Sequence, residues 1–468
     1  MCQENDVRPL SGMLGQHWAR AAIVATVLGA VGFAALVGGC PSNPYDPTQS
    51  PDSFIFNNTT DPTNGGAAYI GSAACGACHT DIAPVHELHG HAQALKPVQG
   101  GPPDYPAAGT RAGVPDPPAG MAWSDIAYVI AGYLHGAFFV DQDGFVVTNG
   151  TSGVDSQWNL AFPPNGTAAG FVEYLPDQVE PLPYEYETCF RCHTTGAAPQ
   201  SESNPASQDG RPGIRGTWSE PGVQCEACHG PGGNHAPNPQ LREIFVDLTT
   251  ATCDRCHEGG VAPDVIPVED GFIVSNTQSQ QLRASGGHSA FTCTICHDPH
   301  ASSTYDRDRG IRNDCTVCHT DQNMALHGGK TLVFGDHVEP VGCESCHMPY
   351  AARSNSSASA DLVGDAARVG DVRTHIFRIN VTDVGADALF TDDGAAVRLD
   401  EQGRAAVPTD FVCLRCHNPG GAFEIDPQLA FEIALDMHGK DGLLPQPLQR
   451  RIDAAVAPRR PRAAEQSP

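Results

Sequence analysis

Residues 293–297 read Cys-Thr-Ile-Cys-His, between the stretches Gly-His-Ser-Ala-Phe at 287–291 and Asp-Pro-His at 298–300. Two thiols three positions apart, with a histidine directly after the second, form the attachment unit of a c-type haem. On one helical turn both sulfurs can form thioether bonds to one porphyrin, and the adjacent imidazole then lies under the same ring, facing the iron. This pentapeptide therefore predicts a covalently bound haem.

The same pentapeptide pattern occurs eight times, and we number the copies site 1 to site 8 in chain order. The motifs use 16 of the 18 cysteines and leave only Cys2 and Cys40. Disulfides, structural zinc and thioredoxin-like pairs are the alternatives, but none of them requires a histidine after every second cysteine. The pattern thus predicts eight haem c groups. Their attaching cysteines are Cys75 and Cys78, Cys189 and Cys192, Cys225 and Cys228, Cys253 and Cys256, Cys293 and Cys296, Cys315 and Cys318, Cys343 and Cys346, and Cys413 and Cys416.

Each motif histidine is expected to supply one axial iron ligand. The second ligand decides the function, because two imidazoles fill the coordination sphere of the iron, whereas an open position permits substrate binding. The motif histidines are His79, His193, His229, His257, His297, His319, His347 and His417.

The supply of other histidines is large enough for every iron. Eleven of the 20 histidines remain once the motifs and His17 are set aside. His86, His89 and His135 are the spare ones, and the sequence leaves the pairing open because a ligand can come from a neighbouring repeat. The second ligands suggested by local setting are His91, His235, His288, His300, His327, His337, His375 and His438.

The composition predicts a chain whose interior is made largely of porphyrin. The chain has 468 residues, 40% of them hydrophobic, with 50 Gly and 39 Pro. Covalent haem would supply apolar surface that the sequence lacks. The net charge is −27 and the only lysines are Lys96, Lys330 and Lys440, so nucleic acid is excluded as a partner, since phosphate binding needs clustered basic residues.

The N-terminal segment predicts export. An apolar stretch at 21–37 leads into Gly-Gly-Cys, which resembles a lipoprotein cleavage site before Cys40. Residues 1–39 are then a lipoprotein signal peptide, and Cys40 is lipidated and anchors the protein to the outer membrane, on its periplasmic side or at the cell surface. A plain signal peptide or an uncleaved anchor helix is the alternative. Residues 40–66 form a flexible tether.

We expect a loop-rich fold for residues 67–440, with mainly short α-helices wrapped around a chain of haems and minor β-hairpins. The interval 101–185 lacks motifs and forms a β-containing insert, with a hairpin turning at 141–144. A strand is expected to bear His375, a second hairpin turns at 392–394, and a helix presents His438. The basic tail 441–468 is expected to be disordered.

Several stretches resemble bacterial multihaem c-type cytochromes of respiratory and extracellular electron transfer: YIGSAACGACH, GVQCEACHGPGGNH, CTICHDPH, CESCHMP and GDVRTHIFRIN. The resemblance covers about residues 69–440. It implies export, little regular structure, closely stacked haems with mostly two histidine ligands, and redox partners such as other cytochromes or quinol-linked donors. Related nitrite reductases often carry lysine in place of one motif histidine, and no such motif occurs here.

Three functions fit these patterns. The first is an exported, lipid-anchored octahaem cytochrome that carries electrons by hopping, in anaerobic respiration or extracellular electron transfer. The second is an octahaem oxidoreductase that acts on a small nitrogen or sulfur compound at one open haem. The third is a structural role, in which the chain forms an oligomer or conductive filament. The surplus of histidines over haems favours the first.

Overall fold

The structure is a computed structural model, and it places all of its described residues in one compact unit within Ser50–Pro468. The expected signal peptide, Cys40 and nearly all of the tail 441–468 lie outside the described residues. The described ranges are 59–106, 113–241, 243–259, 262–322, 324, 327–334, 337–354, 368–382, 385–418, 423–435, 437–438 and 450.

Short elements account for the regular structure. The strands are β1 (Leu95–Pro97), β2 (Ile126–Ala131), β3 (Gly136–Asp141), β4 (Phe145–Val146), β5 (Gln157–Asn159), β6 (Gly170–Val172), β7 (Leu182–Glu185), β8 (Thr194–Thr195), β9 (Ala198–Pro199), β10 (Ile214–Thr217), β11 (Glu220–Pro221), β12 (Val268–Glu269), β13 (Phe272–Val274), β14 (Thr331–Phe334), β15 (His337–Pro340), β16 (Ala352–Arg353), β17 (Ile379–Asn380) and β18 (Val407–Pro408).

The α-helices are equally short. They are α1 (Ser72–Gly76), α2 (Ala83–Glu87), α3 (Asn149–Ser152), α4 (Arg191–His193), α5 (Cys225–His229), α6 (Ala251–His257), α7 (Gln278–Arg283), α8 (Cys293–Cys296), α9 (Arg307–Gly310), α10 (Cys315–Cys318), α11 (Cys343–His347), α12 (Thr409–Cys413) and α13 (Pro427–Ala434). Among the described residues no helix is long and apolar enough to cross a membrane.

One nine-stranded sheet dominates the N-terminal half. Its strand order is β1-β2-β3-β4-β7-β10-β9, and β5 pairs with both β3 and β6. Strand β2 reads Ile-Ala-Tyr-Val-Ile-Ala and is buried over its first five residues, because the sheet is covered on both faces. The register of the β2–β3 pair shifts between Ile126 and Tyr128.

Separate apolar clusters cover the two faces of this sheet. One contains Tyr128, Tyr184, Phe190 and Trp218, and the other is built around Val129 and partners such as Phe139. A third cluster, around Phe272, Ile376 and Phe411, lies in the C-terminal part of the chain and joins short strands to α12. Side chains therefore build real cores in two parts of the chain.

The sequence predicted mainly short helices with minor β-hairpins, and this underestimated the amount of β-sheet. The large sheet takes strands from residues 95 to 217, which extends beyond the interval 101–185 on both sides. The reason is that β1 and β10 pair with strands of the insert across long loops, a pairing that no local pattern announces. The hairpin around 141–144 is confirmed, since β3 and β4 pair as antiparallel strands.

Two local expectations near the C-terminus need correction. His375 lies in irregular chain, because the strand in this segment covers only Ile379–Asn380. The backbone N–H of His375 instead donates to the side chain of Gln281, so a tertiary contact replaces strand pairing. Helix α13 forms as expected but ends at Ala434, and His438 follows it. Around 392–394, Phe390 and Val397 form an isolated antiparallel bridge.

Candidate haem-binding sites

The attachment motifs lie on single helical turns. At sites 1, 5, 6 and 8 the backbone N–H of the motif histidine donates to the carbonyl of the first motif cysteine at 2.9 Å. This is the i to i−4 bond of an α-helix, so both thiols project from the same turn as the imidazole. All sixteen motif cysteines are free of disulfides. The described chain therefore presents the donor geometry that thioether attachment of one porphyrin per motif requires.

Five motif imidazoles are oriented by a hydrogen bond on Nδ1. His193, His229, His347 and His417 contact the carbonyl oxygens of Ala94, Phe245, Phe377 and Phe423 at 2.6–3.0 Å, and His257 contacts Oε1 of Gln278 at 2.9 Å. Because these oxygens only accept, Nδ1 carries the proton. The other ring nitrogen, Nε2, is then left as the metal ligand, which is the usual arrangement at metal-bound histidine.

Seven motif histidines each face a second histidine from elsewhere in the chain. The ring centroids of these pairs are 5.8–6.3 Å apart. The pairs, from site 1 and then site 3 to site 8, are His79 with His235, His229 with His300, His257 with His91, His297 with His375, His319 with His288, His347 with His438, and His417 with His327.

This spacing fits one metal ion between two imidazoles. A ligating imidazole nitrogen lies about 2 Å from its metal, and the ring centre lies about 1 Å farther away. Two rings on opposite sides of one ion therefore have centres about 6 Å apart. Imidazole rings in direct contact can come closer, as His89 and His91 show with a centroid distance of 4.3 Å. The donor sets at these seven sites thus fit haem iron with two axial histidines.

Site 2 differs from the other seven. Among the described residues, which include every histidine from His79 onward, no second histidine ring faces His193. Its motif also begins in a π-helical turn, Tyr186–Phe190, before α4. Such turns occur frequently at functional sites. The residues present can hold a haem from one side through His193, and none of the imidazoles in the described ranges faces His193 from the other side.

The large sheet positions site 2. Phe190, the first residue between its two cysteines, is fully buried and packs against Tyr184 and Trp218 at ring distances of 5.7 and 5.4 Å. Burial holds the pKa of the Tyr184 hydroxyl well above its usual value, and this hydroxyl has no hydrogen-bond partner. The Tyr184 hydroxyl is therefore a buried, unsatisfied donor in the apolar cluster against which Cys189 of site 2 packs.

The sequence suggested eight histidines as second ligands. Within the described chain, His337 is the member of this set that does not face the imidazole of a motif histidine. Its Nε2 lies 2.9 Å from Oε2 of Glu339, and the other oxygen of Glu339 binds Arg415. The guanidinium groups of Arg373 and Arg415 stack on the ring of Tyr350, at 4.3 and 4.8 Å from its centre. This charged cluster joins residues next to the motifs of sites 7 and 8. Within it, Glu339 provides the hydrogen-bond partner of the His337 imidazole.

The spare histidines also have defined positions. His86 and His89 have parallel rings 6.1 Å apart, and burial lowers the pKa of each to about 4. Nδ1 of His89 accepts the backbone N–H of His91 at 3.0 Å, which fixes the loop that carries the ligand of site 4. His135 lies 3.4 Å from the buried carboxylate of Asp371, far along the chain. No local sequence signal distinguishes these roles.

Burial favours the neutral form of several motif and facing imidazoles. It lowers the pKa of His91 well below the usual value and that of His375 to about 3. The pKa values of His193, His229 and His347 are lowered by the same desolvation, although the carbonyl contacts on Nδ1 oppose it. Neutral imidazole is the form that binds a metal.

Eight copies of the attachment motif and seven facing histidine pairs define a class of protein, one that holds haem c covalently. Sequence comparison agrees. A family model for cytochrome c554 and c-prime matches residues 176–230, which contain sites 2 and 3. Dissimilatory sulfite reductase MccA of Wolinella succinogenes is 25% identical over 260 residues, which are 42% of this chain and 35% of the relative. Multiheme cytochrome MtrA of Shewanella baltica is 23% identical over 240 residues, 46% of this chain and 65% of the relative.

The chain is a multihaem c-type cytochrome. It spans only 35% and 65% of the lengths of the two curated relatives. Among solved structures, the octaheme sulfite reductase MccA of Wolinella succinogenes matches with a TM-score of 0.49 and 17% identity, over 77% of this chain and 67% of that one. The outer cell wall cytochrome OcwA matches with a TM-score of 0.44 and 17% identity, over 83% of this chain and 99% of that one.

Proposed function

We propose that the chain is an electron-transfer cytochrome with eight covalently bound haems, in which electrons hop between sites along the chain. The observation that carries the proposal is the set of seven histidine pairs with centroids 5.8–6.3 Å apart. Bound haem supplies a one-electron couple at each iron. Two imidazoles per iron leave no position for substrate, so these seven sites are suited to carrying electrons.

The protein's own residues set the conditions for transfer at each site. The motif thiols fix the porphyrin to a helical turn, and the carbonyl contacts of the motif imidazoles fix ring orientation. Because the second histidine comes from a different segment, as with His79 and His235, each pair also ties two segments together. Little movement is then needed when an electron arrives, which favours fast transfer.

The proposal includes a place for the protein. The Gly-Gly-Cys sequence before the tether supports lipidation at Cys40, and we place the protein on the exported side of the membrane, anchored to the outer membrane. Its partners are then other redox proteins, namely cytochromes or quinol-linked donors, in anaerobic respiration or extracellular electron transfer. Labelling with radioactive palmitate tests the anchor: label on the wild-type protein and none on Cys40→Ala is expected, and label on both would contradict it.

The spin states of the oxidised holoprotein test the electron-transfer proposal. Electron paramagnetic resonance with an optical spectrum should show at least seven low-spin haems among eight, and a haem assay should give eight per chain. Several high-spin haems would contradict the proposal, because sites without two strong ligands are not dedicated carriers.

A second candidate function rests on site 2. No imidazole faces His193 within the described chain, so a haem held there has one side for a ligand from solution. We propose as the alternative an octahaem oxidoreductase that acts on a small nitrogen or sulfur compound at this site, supplied with electrons by the other seven. The relative named as a dissimilatory sulfite reductase supports this class of reaction, although the match covers 42% of this chain.

Ligand addition separates the two functions. If site 2 is open, one haem in eight is high-spin, and its spectrum changes when nitrite, hydroxylamine or sulfite is added. Turnover of one of these compounds with a reduced dye would establish the enzyme. An entirely low-spin protein that ignores all three compounds would contradict the oxidoreductase and leave the carrier function.

A further inference from the structure

The second histidine of site 3 is held by a carboxylate. Nδ1 of His300 lies 3.1 Å from Oδ1 of Asp298, and the same oxygen accepts the backbone N–H of His300 at 2.9 Å. The ring of His300 is nearly parallel to that of His229, with an angle of 7° between the two planes. Because a carboxylate oxygen only accepts hydrogen bonds, Nδ1 of His300 carries the proton and Nε2 is left as the metal ligand.

The loop between the motifs of sites 5 and 6 fixes this carboxylate. The backbone N–H of Asp298 donates to the carbonyl of Gly310 at 3.0 Å, and the backbone N–H of Arg312 donates to the carbonyl of Cys296 at 2.9 Å. The guanidinium of Arg312 lies 3.3 Å from Oδ2 of Asp298, and the Arg312 side chain is 11% exposed. One oxygen of the carboxylate is thereby held by the arginine, and the other is left for His300.

Two other second histidines lack such a partner. Within the described chain, Nδ1 of His235 at site 1 and Nδ1 of His375 at site 5 have no hydrogen-bond partner. A carboxylate on Nδ1 gives an imidazole part of the character of an imidazolate and makes its other nitrogen a stronger donor to a metal. Since a stronger donor stabilises ferric over ferrous iron, the Asp298 contact lowers the reduction potential of a haem held at site 3.

A second carboxylate acts at the same site. Glu226 lies between the two cysteines of the site 3 motif in the sequence, and it is 3% exposed. The groups that hold its carboxylate are neutral backbone amides, those of Ile70, Gly71 and Gly232. A buried negative charge favours the more positive oxidation state of a neighbouring metal, because the Coulomb interaction is weakly screened there. Both carboxylates therefore favour ferric iron at site 3.

We infer that Asp298 acts through His300 and, together with Glu226, gives site 3 the lowest reduction potential of the seven sites with paired histidines. Asp298 is a positioning residue, since it contacts the ligand and not the metal. The inference rests on the proposal that each site holds one haem, and it deepens that proposal by ranking one site. An electron is then least stable at site 3, which stays oxidised until the other six paired sites are reduced.

A redox titration of the holoprotein, followed by electron paramagnetic resonance, tests the ranking. One low-spin signal should persist to the lowest potentials, and it should be missing from the Cys225→Ala, Cys228→Ala double variant, which cannot attach haem at site 3. The Cys315→Ala, Cys318→Ala double variant, which loses haem 6, is the control and should keep this signal. A haem content of seven per chain and an unchanged circular dichroism spectrum check the fold of both. A last-reduced signal that survives the loss of haem 3 would overturn the inference.

Asp298→Asn tests the carboxylate without the loss of a haem. The amide oxygen can still accept from His300, so the contact is kept and only the negative charge is lost. The last-reduced haem should then favour the ferrous state about tenfold more, a rise of about 59 mV for one electron, and its low-spin g values should shift because the imidazole becomes a weaker donor. Asp306→Asn is the control, since this carboxylate in the same loop pairs with Arg309. Equal shifts in the two variants, or none in Asp298→Asn, would overturn the inference.

A double-variant cycle separates the hydrogen bond from an effect of charge through space. His300→Met replaces the imidazole by a thioether, which has no N–H to donate. Asp298→Asn should therefore change the potential of haem 3 much less in the His300→Met protein than in the wild type. Equal changes in the two proteins would overturn the action through His300. The number of low-spin haems in the wild type is independent of these shifts, so failure of the proposed function and failure of this inference are distinguishable.

Discussion

Sites 2 and 3 share a motif but differ in what faces it. In both, the motif imidazole is held through Nδ1 by a carbonyl oxygen at 3.0 Å, from Ala94 for His193 and from Phe245 for His229. At site 3, His300 lies opposite with a centroid distance of 6.2 Å, whereas no imidazole lies opposite His193 in the described chain. The motif histidine of a site is thus specified by the local sequence. Whether a second histidine faces it depends on how distant segments fold together.

Removing His300, the second histidine of site 3, should abolish the difference between sites 2 and 3. His300→Ala should convert one low-spin haem to high-spin, because the iron loses one of its two strong ligands, and site 3 would then resemble site 2. Electron paramagnetic resonance of the oxidised holoprotein measures the change. His337→Ala is the matched control and should alter no spin state, since His337 contacts Glu339. A low-spin His300→Ala protein would contradict the pairing.

Site 2 should depend most on apolar packing against the sheet. Phe190→Ala removes a fully buried ring from the cluster with Tyr184 and Trp218. We expect a loss of about 3–5 kcal/mol in the free energy of unfolding. Denaturant unfolding, followed by tryptophan fluorescence, measures it. Phe291→Ala, at a partly exposed ring beside site 5, is the control and should cost much less. Equal losses would show that the sheet does not anchor site 2.

The buried histidine next to site 3 should make stability depend on pH. Burial lowers the pKa of His86 to about 4 in the folded protein. The unfolded chain binds this proton at a higher pH, so stability is full above about pH 6.5 and falls by up to about 1.4 kcal/mol per pH unit toward pH 4. His86→Gln should flatten the curve in that range. Parallel curves for wild type and variant would contradict the buried, neutral imidazole.

A smaller effect is expected from the charge inside the site 3 motif. The buried carboxylate of Glu226 accepts the backbone N–H groups of Ile70, Gly71 and Gly232 at 2.7–3.1 Å. Glu226→Gln weakens these charge-assisted bonds and should cost about 2 kcal/mol in the free energy of unfolding. Glu344→Gln, within the site 7 motif and bound to the exposed Arg307, is the control. A loss no larger than that of the control would contradict this role.

Sequence alone could predict the attachment side of the sites, because five adjacent residues contain the whole signal. It also suggested seven histidines that the structure places opposite motif rings, as with His235 and His438. It could not assign the pairs or foresee that His337 contacts Glu339, since these contacts join distant segments. That no described imidazole faces His193 was equally hidden, because the number of histidines exceeds the number of sites.

The sheet was the largest feature that the sequence understated. The hairpin at 141–144 has a local turn signal, and it was predicted. Pairing of β7 with β10, which is parallel, has none, because the partners are separated by a loop that contains the whole of site 2. Such a pairing depends on contacts between residues that are distant in sequence. The repeated attachment motifs, which lie on helical turns, led to a prediction dominated by helices.

The apolar cluster around Phe190 has a consequence for how the protein is made. It consists of side chains, so it can form before any thioether bond does, whereas the segments around sites 5 and 6 contribute few members to the three apolar clusters. The sheet can therefore be folded around site 2 before haem is attached at the other sites. A chain without porphyrins would therefore keep the large sheet folded and resistant to proteases, while the segment around 293–319 is digested.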